Sequence, residues 1–93
     1  MKESECMTRF IVNIPTVEEA SVFSNKMQRM PFDVDLRNGR TVIDAKSILG
    51  VIYFGVGRNA FLEAHTDRKT DREMLEEAVR DYLVEDDQMA RVM

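Results

Sequence analysis

Asn38-Gly39-Arg40-Thr41-Val42-Ile43-Asp44-Ala45-Lys46-Ser47-Ile48-Leu49-Gly50-Val51 is the stretch that decides the fold. Asn38-Gly39 is the strongest short hairpin signal, because both residue types tolerate positive φ. The chain before it, where Val34 and Leu36 alternate with Asp33, Asp35 and Arg37, reads as a strand. Thr41 to Ala45 then reads as its returning partner. Ser47 is a favoured N-cap residue and opens a short apolar run, Ile48 to Phe54. That predicts one or two helical turns ended by Gly55 or Gly57.

Working outward, residues 1–7 form a polar lead-in expected to be loosely ordered. Phe10, Val12 and Ile14 alternate with Arg9, Ile11 and Asn13, which is the period of a half-buried strand. Pro15 ends it, and Thr16-Val17-Glu18-Glu19 is a capping-box pattern. In such a box the threonine oxygen accepts the Glu19 amide and the Glu19 side chain reaches back. Ala20, Phe23, Met27 and Met30 follow at helical spacing up to Pro31. Beyond the apolar run, Ala60 to Thr66 alternates again, placing Phe61, Glu63 and His65 opposite Leu62 and Ala64. Thr70-Asp71-Arg72-Glu73 repeats the capping-box pattern, and Leu75, Ala78, Val79 and Tyr82 line a last helix face. From Glu85 onward the period fails, so the tail is expected to fray. The order β-α-β-β-α-β-α implies an α+β domain, an antiparallel sheet with its helices on one side.

At 93 residues the chain fits one domain, 1–93, and has no room for a second of normal size. It is 44% hydrophobic and 32% charged, which is globular rather than disordered composition. The net charge of −4, with Lys and Arg scattered among acids, argues against nucleic acid as a partner. Ile48 to Val56, the longest apolar run, is glycine-interrupted and too short for a bilayer. The N-terminus, MKESEC, carries acids where a secretory signal carries basic residues, so a cytoplasmic protein is expected. A lone Cys6 excludes an internal disulfide or a cysteine metal cluster.

No catalytic set emerges. His65 is the one imidazole; it could be a phosphoacceptor or general base, but the plainer reading, a solvated strand residue on the outer face beside Glu63, is preferred. No second histidine or suitably spaced carboxylate joins it to make a metal site, and Gly55-Val56-Gly57 lacks the third glycine of a dinucleotide site. The chain is expected to be no enzyme and to carry no cofactor. Spacing alone makes Ser47 a helix cap and Ile48, Leu49 and Ile52 core.

The stretch Asn38-Gly39-Arg40 through Asp44-Ala45-Lys46-Ser47-Ile48-Leu49-Gly50-Val51, then Gly55, resembles the HPr family, the small phosphocarriers of the bacterial sugar phosphotransferase system. The resemblance covers roughly residues 8 to 84, and Ala45-Lys46-Ser47-Ile48-Leu49-Gly50 is its most specific part. It implies an HPr-like open-faced β-sandwich, a four-stranded antiparallel sheet with three helices on one face. The family's phosphorylated histidine, followed by alanine, arginine and proline, is replaced here by Thr16, Val17, Glu18 and Glu19. Threonine has no imidazole to take the phosphate, and Glu18 repels where an arginine would pair. The resemblance therefore implies lost phosphocarrier activity, similar to the catabolite-repression HPr-like protein.

What it retains is the regulatory serine, matched by Ser47, with Ile48, Leu49 and Ile52 as the adjoining partner-binding patch. Lys46 would offset the charge of Asp44 there. The implied partners are an HPr-kinase-type enzyme and either a transcription regulator or a component of the phosphotransferase system. Two alternatives stay open. One is an HPr-like scaffold or homodimer unrelated to sugar uptake, using Phe61, Ile11 and Val42 on the uncovered sheet face. The other is a phosphocarrier that uses another residue, His65 being the only imidazole.

Overall fold

The computed structural model describes residues 7–54 and 56–84. Its strands are β1 (Thr8–Asn13), β2 (Val34–Asn38), β3 (Thr41–Asp44) and β4 (Asn59–Ala64). Its helices are α1 (Val17–Gln28), α2 (Ile48–Phe54) and α3 (Lys69–Ala78), with a 3-10 turn at Arg80–Tyr82. The strands form one sheet in the order β1-β4-β2-β3, and every neighbouring pair is antiparallel. The expected α+β architecture is thus the observed one.

Period-2 patterning explains which face is covered. Phe10, Leu62, Leu36 and Ile43 lie abreast across the four strands and turn toward the helices. Behind them Ala20, Phe23 and Met27 of α1, Val51 and Phe54 of α2, and Leu75 of α3 join the same core. Phe23 meets the Tyr82 ring edge-on, with centroids 5.5 Å apart. Such a pair adds about 0.5–1.5 kcal/mol beyond its buried area. After the 3-10 turn the chain returns to the free edge of β1, where Leu83 bridges Val12 and the Val84 amide donates to the Ile11 carbonyl at 2.8 Å.

Local signals hold in kind and shift in detail. Asn38 pairs with Thr41, so the hairpin loop is Gly39-Arg40 and only Gly39 adopts positive φ, at 61°. One left-handed residue at the first loop position suits the right-handed strand twist, and asparagine is not asked to provide it. Thr16 caps α1 as expected, its Oγ1 accepting the Glu19 amide at 3.1 Å. The Glu19 carboxylate does not close the box; it accepts the Tyr82 hydroxyl at 2.6 Å across the fold. The second capping box does not form, because α3 starts at Lys69 and leaves Thr70 inside it. Thr66 takes over the start of that helix, donating to Asp71 at 2.8 Å and accepting the Arg68 amide at 3.3 Å. The fraying expected from Glu85 onward, and most of the lead-in with Cys6, lie outside the described residues.

Candidate functional site

Ser47 lies where β3 turns into α2. Asp44 makes that turn, its Oδ1 accepting the Lys46 amide at 2.9 Å and its carbonyl accepting the Ser47 amide at 3.0 Å. An aspartate binding its own backbone two residues on is a self-contained turn device. The loop is then fastened to α1 by three side chains. Ser24 Oγ donates to the Ala45 carbonyl at 3.1 Å, Gln28 Nε2 to the Lys46 carbonyl at 2.9 Å, and Lys46 Nζ to the Met30 carbonyl at 3.0 Å. Ser24 and Gln28 stand four residues apart on one helix face, so both reach the same loop.

Ser47 itself is exposed, and its Oγ accepts the Gly50 amide at 3.1 Å. The cap expected from its position is present. Along α2, Val51 and Phe54 are buried, Ile48 and Ile52 are half-buried, and Leu49 stands 70% exposed. Tyr53 is 88% exposed, one turn beyond Leu49 on the same side. The apolar surface that α2 offers next to Ser47 is therefore Leu49 with Tyr53, flanked by the partly covered Ile48 and Ile52. Lys46 is drawn toward the end of α1. Its ammonium lies on the Met30 carbonyl just past the C-terminal end of α1, where a cation is favoured.

Thr16 and Glu18 are both exposed at the start of α1, and Thr16 is occupied as the cap. The Gly57 amide donates to the Ile14 carbonyl at 2.6 Å, so the approach to Thr16 lies against the turn that follows α2. Ser47 is at the opposite end of that helix. Seven residues at about 1.5 Å each separate the two ends by about 10 Å.

His65 lies just past β4 rather than within it, and its Nε2 meets Asp35 Oδ2 at 2.9 Å. Glu63 departs furthest from the solvated outer-face residue its alternation suggests, being 1% exposed. Arg9 on one neighbouring strand contacts its carboxylate at 3.0 Å, and Arg37 on the other donates to both oxygens at 3.1 and 3.2 Å. Among the described residues no group of His, Cys, Asp and Glu could hold a metal ion, and no helix is long and apolar enough to cross a membrane.

No family model matches the sequence, and no curated protein matches it either. Solved structures do. The crystal structure of HPr-C-His from Thermoanaerobacter tengcongensis superposes with a TM-score of 0.59 at 16% identity, covering 81% of this chain and 91% of that one. The phosphocarrier protein HPr from Bacillus anthracis str. Ames gives 0.61 at 20% identity, covering 82% and 96%. The fold is that of HPr. Ser47 and the outer side chains of α2, Leu49 and Tyr53, are all solvent-exposed.

Proposed function

We propose that this chain is a non-catalytic, HPr-like regulatory protein of the carbon-control type, working in the cytoplasm by binding protein partners and controlled by phosphate on Ser47. The observation that carries the reading is the exposed Ser47 hydroxyl on a junction pinned to α1 by Ser24, Gln28 and Lys46, with Leu49 and Tyr53 exposed beside it. A fixed serine next to an apolar anchor gives a partner both a phosphate for a bidentate arginine and a surface to bury. The partners are an HPr-kinase-type enzyme and either a transcription regulator or a component of the phosphotransferase system. Thr16 as a helix cap with Glu18 beside it speaks against a phosphocarrier.

The test is incubation of the full chain with an HPr serine kinase and ATP. The Ser47 oxygen would take the γ-phosphoryl group, losing its proton and releasing ADP. One phosphate mapped to Ser47, and none on Ser47→Ala, supports the reading. No incorporation at Ser47 overturns it. A second reading has one observation in its favour. Asp35 could orient His65 through Nε2, leaving the other ring nitrogen as acceptor. The same carboxylate would repel an incoming phosphate, so His65 is expected to stay unphosphorylated.

A further inference from the structure

The face of the sheet away from the helices is ordered into two rows. Ile11, Phe61, Arg37 and Val42 lie abreast across β1, β4, β2 and β3. One step along, Arg9, Glu63, Asp35 and Asp44 lie abreast in the same strand order. Phe61 is 37% and Val42 43% exposed, and Ile11 is half-buried. The Arg9 guanidinium sits 5.1 Å from the Phe61 ring centroid, on a surface that no helix covers among the described residues.

From this arrangement we infer that the uncovered sheet face is the contact between two copies of this chain, packed face to face about a two-fold axis that runs along the strands between β4 and β2. Such an axis lays β1 of one copy over β3 of the other, and β4 over β2. Ile11 then meets Val42, Phe61 meets Arg37 as a cation–π pair, and Arg9 meets Asp44. Each of these pairs is made twice, and both members of each already belong to this one face. That self-complementarity is what an isologous interface requires and what selects a second copy over a foreign partner. The one like-charge meeting, Glu63 over Asp35, is muted, because Arg9 and Arg37 already hold Glu63. Aligned sheets of this kind pack about 10 Å apart with their strands about 30° from parallel. Four strands about 4.8 Å apart make a face some 15–20 Å across, short of the roughly 800 Å² per partner of a standard interface. The dimer is therefore a weak one, formed toward high concentration. This contact leaves α2 and Ser47 free, so it stands or falls separately from the phosphorylation reading.

Sedimentation velocity on the full chain from micromolar to millimolar concentration tests it, with amide chemical shifts followed over the same series. A concentration-dependent dimer is expected, with shifts centred on Ile11, Arg37, Val42 and Phe61. Val42→Lys, on an exposed edge-strand position, raises the dimer dissociation constant at least about tenfold. Circular dichroism checks that the variant folds. A strict monomer at millimolar concentration overturns the inference. So does a dimer unchanged by Val42→Lys, or one whose shifts map to Leu49 and Tyr53 instead.

Discussion

Ser47 and Gly50 fit each other at a single point: the Gly50 amide donates to Ser47 Oγ at 3.1 Å, and a Cβ added to Gly50 would sit 3.1 Å from that same oxygen. Glycine at position 50 lets the serine lie down over the first turn of α2, at the expense of helix propensity. Ser47→Ala removes the cap and is expected to destabilise by about 1 kcal/mol. Gly50→Ala gains up to about 1 kcal/mol of propensity and displaces the serine that caps the helix. The two effects share one hydrogen bond, so the double variant should lose less stability than the sum of the singles. Urea denaturation of the four proteins measures this, and strict additivity would mean that the two side chains do not interact.

Glu63 is a second coupled site. Arg37→Met leaves a buried carboxylate with Arg9 as its remaining guanidinium, and is expected to cost about 1–3 kcal/mol. That is a fall of several degrees or more in the melting temperature of a domain this size, at about 4–8 °C per kcal/mol. Arg9→Met removes a more exposed partner and should cost less. A melting temperature unaffected by Arg37→Met would show that Glu63 is satisfied without it.

Tyr82 gives the fold an alkaline limit. Burial first, and then the hydrogen bond to Glu19, push its hydroxyl well above the ordinary 10.0. The folded state therefore keeps the proton to higher pH than the unfolded state does. The stabilisation is complete below the unfolded value near 10 and is lost as pH rises above it. Denaturant midpoints taken through that range should fall with pH, and Tyr82→Phe should flatten the decline. The same variant should cost about 1–2 kcal/mol at neutral pH, since it removes a hydrogen bond to a carboxylate.

Thr16→His should not create a phosphocarrier. The substitution gives up the cap on the Glu19 amide and leaves Glu18 exposed in the first turn, where it opposes an incoming phosphate. Incubation with phosphoenolpyruvate and the first enzyme of the phosphotransferase system is expected to leave the variant essentially unlabelled. Labelling at the level of an ordinary HPr would show that Glu18 is no obstacle.

The parts of this molecule legible in its sequence are those set by near neighbours. The alternation of Phe10, Val12 and Ile14, the hairpin that Asn38-Gly39 signals and the caps at Thr16 and Ser47 each depend on a few residues of local backbone, and each is found, the hairpin with its loop one residue on at Gly39-Arg40. What escaped depends on strand register or on distant partners. Glu63 alternates like a solvated residue, and only the pairing of β4 with β1 and β2 shows that an arginine lies on each side. Glu19 looks like a box-closing glutamate until the chain end brings Tyr82 to it, 63 positions on. Thr66, four residues ahead of the apparent capping box at Thr70, claims Asp71 instead. Tyr53 was hidden among apolar neighbours, although its spacing from Leu49 and its opposition to Val51 and Phe54 could have marked it as exposed.

The most direct measurement of the central claim is a titration of the full chain, unmodified and phosphorylated on Ser47, against a carbon-control transcription regulator and against components of the phosphotransferase system. Phosphate adds about −1.5 to −2 charge at a helix start, where its oxygens can replace the hydroxyl cap. Folding stability should therefore change little, while affinity for one of these partners changes at least about tenfold, and that change should vanish with Leu49→Ser and Tyr53→Ser. Phosphorylated and unmodified chains that bind every one of these partners alike would contradict the account and reduce Ser47 to a helix cap.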